Sequence, residues 1–270
     1  IDSEDPIIQR DGMLSESQSI WGYETNYGAF AEYTKVKSTQ LIKKPNHLTW
    51  EEAASFSLTL STAYRMLISE NGAKIRPGET CLIWGAAGGL GLFAIQLAKL
   101  AGANVIAIVS SDEKISICKK LGADFVLNRK KDFPKSFTDE DGNPNYLAWR
   151  KISLILKKLN APDIDVVFEH VGKETLGLSI YLLKRGGRVV TCAATSGFLA
   201  TIDLRFLWMQ LKSIVGSHFA NYDEANKAAK LVFENKVVPV FIENDIASLP
   251  EMMDQMYYGK TYGKIVFNHF

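Results

Sequence analysis

Four glycines stand between a short apolar run, ETCLI, and a helix-spaced one, GLFAIQLAKLAG: Gly85, Gly88, Gly89 and Gly91 in WGAAGGLG. Glycine lets the backbone turn tightly and come close to a pyrophosphate, whose charge then rests on a helix amino terminus. A glycine cluster alone marks no more than a tight turn. Set between a buried strand and an amphipathic helix, it predicts the diphosphate cradle of a dinucleotide site. The spacing is one residue longer than G-x-G-x-x-G.

The next strand decides which dinucleotide. An acid about 20 residues further on grips the ribose diol of NAD. Here that strand ends in Ser110 and Ser111, with Lys114 one turn into the following helix and Arg129 after the third strand. Hydroxyls and cations in place of a carboxylate favour a 2′-phosphate, hence NADPH. Asp112 stands close enough to compete for the ribose and reads as a helix N-cap. His170, in FEH, falls at the carboxyl end of the fourth strand, where open α/β sheets bind ligands; it either lines the cofactor site or packs there. His218 ends the sixth strand and, taken alone, reads as a buried core histidine. Glu24, in WGYET, reads alone as an acid capping a turn. His47 and His269 carry no signal.

These residues need elements to hold them. From Glu79 the pattern is strand, turn, helix, repeated. ETCLIWG, NVIAIVSS, DFVLN, DIDVVFEHVG, GRVVTCAAT and SIVGSHF read as six strands, with helices over GLFAIQLAKLAG, DEKISICKKLGA and YLAWRKISLILKKLN. Continuous β-branched strands alternating with helices predict a doubly wound parallel α/β sheet, covered on both faces. Arg129 to Asn145 reads as a solvated loop. Residues 1–60 read differently, with GAFAEYTKV as a strand entering a small barrel. After Val238, VPVFI and GKIVFNHF read as strands around the helix LPEMMDQMYYGK. The predicted layout is a dinucleotide domain, 61–238, inserted into a second domain whose parts are 1–60 and 239–270.

Composition narrows the class. The chain has 270 residues, 47% of them hydrophobic and 23% charged, with a net charge of +1. That balance describes an ordinary soluble globular protein with neither a nucleic-acid nor a membrane surface. Cys81, Cys118 and Cys192 are far apart in apolar runs. No C-x-x-C or Cys/His pair has metal-ligand spacing, so no metal site is expected and the thiols read as reduced and buried in a cytoplasmic protein. The amino terminus has no secretory signal, and no apolar run approaches the roughly 20 residues of a membrane span. The chain begins without Met, which leaves open a processed or excised piece.

WEEAASFSLTLSTAYRML, RPGETCLIWGAAGGLG and the inserted-domain layout resemble the medium-chain dehydrogenase/reductase superfamily, on the side that lacks zinc. More narrowly, IWGYETNYGAFAEY, HLTWEEAA, STAYRML, DVVFEHVG, KRGGRVVTCA and RFLWMQLKSIVGSHFANY resemble the crotonyl-CoA carboxylase/reductase family along nearly the whole chain. Val171 stands where that family usually has Pro. The chain also begins where the family's amino-terminal catalytic domain should be more than half complete.

The resemblance implies a six-stranded Rossmann sheet inserted into a partial GroES-like β-barrel catalytic domain. It also implies reductive carboxylation: NADPH delivers hydride to the β-carbon of an α,β-unsaturated acyl-CoA, and the enolate takes CO2 at the α-carbon to give an alkylmalonyl-CoA. His218 would hydrogen-bond a CO2 oxygen, directly or through water. Glu24 would hold that water and orient the imidazole, and Tyr23 would wall the pocket. Thr62 and Tyr64 fall where the superfamily's helix meets the nicotinamide, packing being an equal alternative. Arg185 and Arg205 are candidates for the CoA phosphates, against a reading as surface charge. RFLWMQLK reads as core or subunit interface, and strand six as the edge that pairs in a homodimer or homotetramer. Two other readings stay open. One is a plain NADPH-dependent enoyl-thioester or quinone reductase, which has no need of the Glu24–His218 pair. The other is a non-catalytic, dimerising nucleotide-binding remnant.

Overall fold

The computed structural model describes residues 10–16 and 18–268; the amino-terminal stretch through residue 9 and His269 lie outside them. The first long element, α1 (Trp50–Leu67), starts at a capping box. The Thr49 hydroxyl accepts from the Glu52 N–H, and the Glu52 carboxylate accepts from the Thr49 N–H. These bonds satisfy two of the donors every helix start leaves open.

Next come β1 (Thr80–Ile83), α2 (Gly89–Leu100), β2 (Asn104–Val109), α3 (Ile115–Lys120), β3 (Phe125–Asn128) and a short α4 (Arg129–Asp132). After α5 (Tyr146–Lys158), the second half runs β4 (Ile164–Glu169), α6 (Leu176–Leu182), β5 (Leu183–Thr191), α7 (Leu204–Trp208) and β6 (Ser213–Gly216). The six strands form one parallel sheet in the order β3-β2-β1-β4-β5-β6. This is the doubly wound α/β fold, with its switch point between β1 and β4.

Alternation along the strands builds two cores. Cys81, Ile83, Val105, Ala107, Val166 and Phe168 face α1, α2 and α8 (Tyr222–Phe233). Leu82, Ile106, Ile108 and Val167 face α5 and α6 on the other side. Each large side chain so buried contributes roughly 1.5–3 kcal/mol. Gln96 of α2 then directs the chain out of the sheet layer, pairing its amide with both the N–H and the carbonyl of Val238. Beyond it, β7 (Phe241–Asp245), α9 (Leu249–Tyr257) and β8 (Lys264–Asn268) follow, and β7 pairs in parallel with β8 against α1.

Two readings of the sequence change. GAFAEYTKV forms bends rather than a strand, with Phe30 72% and Tyr33 89% exposed. Alternating residues make a strand only beside another that accepts its backbone hydrogen bonds, and none does so among the described residues. Its ties include the Trp21 indole donating to the Lys35 carbonyl, the Lys35 ammonium over the Tyr27 ring and Phe30 meeting Phe267 at 6.4 Å. The insert from Arg129 is not a solvated loop throughout. Phe133 and Phe137 are buried against Trp84, and the Trp149 indole donates to the Phe137 carbonyl, while Lys130, Lys131, Lys135, Ser136 and the tip Asp139–Asp141 are exposed. The polar residues around those two aromatics hide their anchoring role. Among the described residues no helix is long and apolar enough to cross a membrane.

Candidate active site

The carboxyl ends of the strands gather the candidate residues along one edge. After β1 the chain turns at Gly85, whose φ of +55° lies in the left-handed region that glycine tolerates. A Cβ there would come within 2.8 Å of the His170 ring; one at Gly91 would meet Gly85 O and Ala86 Cα at 2.6 Å. Gly88 is the N-cap of α2. The helix has no capping side chain and no acid in its first turn, so its leading N–H groups remain available to an anion. The glycines close the loop on itself and leave the cradle that a diphosphate fits.

A lysine also lies on this loop. Gly263 donates to the Ala87 carbonyl at 2.9 Å and bridges Gly88, which brings the start of β8 across the glycine turn. The stem of Lys264 covers Gly89, where an added Cβ would lie 2.7 Å from its Cδ. Among the described residues the Lys264 ammonium has no carboxylate partner. Nothing local in the sequence links it to a turn so far away.

At the end of β2, Lys114 donates to Ser110 Oγ at 3.3 Å and to the Gly259 carbonyl at 2.6 Å. Burial, and then Lys130 nearby, push its ammonium pKa down. Asp112 is not the N-cap; Ser111 holds that position. The Asp112 carboxylate accepts instead from Asn128 Nδ2 at 2.8 Å and from Lys131 at 3.1 Å. Arg129 turns away to pair with Glu174 at 2.9 Å and lies over the Phe137 ring. With Lys135 and Lys173 it lines a separate cleft of about 290 Å³.

His170 Nε2 lies 2.9 Å from the Trp84 carbonyl. A carbonyl only accepts, so Nε2 carries the proton. Burial lowers the imidazole pKa, against an opposing pull from Glu169, and the ring stays neutral beneath Gly85. Glu169 itself was not singled out from the sequence. It is fully buried and accepts from the Val171 and Gly172 N–H groups and the Thr175 and Ser179 hydroxyls, while Ser179 accepts from the Trp84 indole. Its only sequence signal is an acid ending an otherwise apolar strand.

The remaining candidates lie apart. Thr62 is buried, and its hydroxyl donates to the Leu58 carbonyl one turn back. His218 is exposed past the end of β6, its ring 4.4 Å from that of Phe219. Glu24 accepts from the Ile20 N–H at 2.6 Å, and Tyr23 is 83% exposed. No hydrogen bond or ring contact joins Tyr23 or Glu24 to His218 among the described residues. Arg185 sits toward the amino end of β5, away from the carboxyl edge, and donates to the Met209 carbonyl. Arg205 pairs with Asp203 at 2.7 Å and reaches the Tyr146 hydroxyl. In RFLWMQLK, Phe206 packs on Tyr181 while Trp208, Met209 and Leu211 are exposed.

A family model described as zinc-binding dehydrogenase matches residues 89–234. The chain belongs to that family. Relatives of the chain include crotonyl-CoA reductase of Streptomyces collinus, 47% identical over 88% of this chain and 54% of the relative. Crotonyl-CoA carboxylase/reductase of Cereibacter sphaeroides is 43% identical over 92% and 59%. Among solved structures, a 2-octenoyl-CoA carboxylase reductase in complex with NADP and 2-octenoyl-CoA superposes with a TM-score of 0.89 at 42% identity, covering 98% of this chain and 60% of that one. The chain thus spans little more than half the length of these relatives.

The zinc in the family's description finds no ligand set here. Among the described residues no group of three or more His, Cys, Asp or Glu is placed to hold a metal ion. Cys81, Cys118 and Cys192 are free, and burial raises each thiol, Cys118 and Cys192 to about 12.

Proposed function

We propose that this chain carries the NADPH-binding domain, and part of the substrate domain, of an enoyl-CoA carboxylase/reductase. The reading rests on 43–48% identity to crotonyl-CoA enzymes over 85–92% of the chain, joined to a diphosphate cradle flanked by Lys114 and Lys264. Residues 61–238 form the cofactor domain; 1–60 and 239–270 belong to the substrate domain.

The first N–H groups of α2 and the Lys264 ammonium hold the diphosphate. Ser110, Ser111 and Lys114 hold the 2′-phosphate, and the Asp112 carboxylate, engaged by Asn128 and Lys131, does not oppose it. His170 supports the glycine turn from below. Bound NADPH supplies the hydride, which reaches the β-carbon of the unsaturated acyl-CoA. The α-carbon of the resulting enolate bonds to CO2, leaving an alkylmalonyl-CoA and NADP⁺. His218 donates to a CO2 oxygen, Glu24 holds a water against the imidazole, and Tyr23 excludes bulk water that would protonate the enolate. Arg129, Arg185 and Arg205 serve anionic groups only if they exchange the partners they hold here. The exposed β6 edge, with Ile214, Trp208 and Leu211 beside it, pairs with a second copy in a homodimer or homotetramer in the cytoplasm.

A second reading, reduction without carboxylation, draws on Glu24 being engaged by Ile20 and unlinked to His218. Acryloyl-coenzyme A reductase of Metallosphaera sedula, 33% identical over 86% of this chain, is a relative of that kind. One experiment separates the two. NADPH oxidation with crotonyl-CoA is followed with and without bicarbonate and carbonic anhydrase, and the products are weighed. CO2-dependent formation of ethylmalonyl-CoA supports carboxylation. Butyryl-CoA alone supports the simple reductase, and no turnover with NADPH bound means that catalysis needs more of the substrate domain than this chain carries.

A further inference from the structure

Arg65 is a buried guanidinium that the mechanism above does not use. Nη2 lies 2.6 Å from Asp11 Oδ2 and Nη1 2.8 Å from Glu224 Oε2. The three residues are 6%, 4% and 4% exposed. Two carboxylates around one guanidinium leave a buried excess of negative charge, and Arg65 Nε has no partner. A buried charge cluster of this kind is weak evidence for stability, since apolar residues of similar size often serve as well.

The cluster grips Asn221 at three points. Asn221 Nδ2 donates to Asp11 Oδ1 at 3.2 Å, its N–H donates to Glu224 Oε2 at 2.9 Å, and its Oδ1 accepts from the Glu224 N–H at 2.9 Å. Asn221 is the N-cap of α8 and the third residue past His218. On the other side of His218, the Ser217 N–H donates to the Thr191 carbonyl at 2.8 Å, in line with the β5–β6 ladder. The buried Ser217 hydroxyl makes no hydrogen bond, so this turn gains little from its own side chains. Between the two anchors Phe219 adopts φ +43°, a left-handed conformation that a bulky residue keeps only where its flanks are held.

We propose that Arg65 is a positioning residue for His218: through Asp11 and Glu224 it fixes Asn221, and so sets where the imidazole leaves the end of β6. The inference rests on the carboxylation reading for its consequence. A loosened His218 no longer holds CO2 over the enolate, and a proton from water takes the α-carbon instead, giving butyryl-CoA from crotonyl-CoA.

The test uses Asn221→Ser and Arg65→Lys in the whole protein. Serine keeps the helix-capping oxygen but loses the amide donor to Asp11, so it leaves the fold in place. Lysine keeps the charge but replaces the two-armed fork with one point. Isotope-labelled histidine is followed by NMR. The His218 ring resonance is expected to move and broaden in both variants while His47 and His170 stay in place. An unmoved His218 resonance in Asn221→Ser overturns the proposal, whatever the activity. In the same variants the ethylmalonyl-CoA to butyryl-CoA ratio is expected to fall several-fold, with total NADPH oxidation within about twofold of the unaltered protein. If both products fall together with the melting temperature, Arg65 is only structural and the proposal fails. If the unaltered protein forms no ethylmalonyl-CoA, the carboxylation reading fails by itself, and the histidine spectrum still decides the role of Arg65.

Discussion

The His170 imidazole occupies the space that a side chain at Gly85 would need, 2.8 Å from where that Cβ would stand, while Nε2 holds the Trp84 carbonyl at 2.9 Å. The turn and the ring therefore fix each other. Gly85→Ala suffers both the contact and a left-handed φ, and is expected to destabilise the protein by about 1–3 kcal/mol. Made in a His170→Ala background, the same substitution should cost less, because only the backbone strain remains. Urea unfolding of the four proteins in this cycle measures the coupling.

The same imidazole gives a pH dependence. Burial lowers the folded pKa below the unfolded value of about 6.5, so the native state prefers the neutral ring. Its contribution is complete above about pH 6.5. It is lost progressively as pH falls, because the unfolded chain takes up the proton first, and the loss levels off below the folded pKa. Unfolding free energies measured from pH 7.5 down to pH 5 should fall more steeply for the unaltered protein than for His170→Gln. Equal slopes would mean that the ring is freely solvated.

Lys114 joins the predicted 2′-phosphate site to the segment after α9 through Gly259. Lys114→Ala should weaken NADPH binding by about 10- to 100-fold, as expected for a lost charge-assisted hydrogen bond, and leave NADH nearly unchanged. Nucleotide fluorescence titrations with both cofactors make the comparison. An equal loss for the two would place the ammonium away from the 2′-phosphate.

Glu169 accepts from four donors in the core behind the glycine turn. Glu169→Gln can keep its carbonyl toward the Val171 and Gly172 N–H and the Thr175 hydroxyl that meet Oε1, but turns its NH2 toward the Ser179 hydroxyl, which must give up donating and accept instead. A loss of about 1 kcal/mol is expected, read by denaturant unfolding. A near-neutral substitution would show that the pocket rearranges to accept the amide.

The β6 edge carries Ile214 into solvent beside Trp208 and Leu211. Ile214→Lys places a charge where a second strand would pair, and should shift the protein to monomer in sedimentation velocity. An unchanged sedimentation coefficient for an assembled protein would move the interface elsewhere.

The sequence by itself determined what depends on near neighbours. The six strands, the helix after the glycine turn and the glycine turn itself are each readable from runs of a few residues. Period-two burial and the conformational range of glycine operate at that scale. Asp112 was misread within the same range because two side chains from β3 and α4 outbid a helix cap. The segment after Gly28 shows the limit from the other side: its alternation is that of a strand, yet strand formation needs a neighbour that local pattern does not supply. Only the tertiary structure decided which charges meet. Arg65 finds Asp11 and Glu224 at separations of 54 and 159 residues, Lys114 finds Gly259 across 145, and Lys264 crosses a turn formed much earlier in the chain. A charged side chain is recruited by whatever the packed layers bring within about 3 Å, and that distance is set by the assembled sheet and helices rather than by the residues on either side of it.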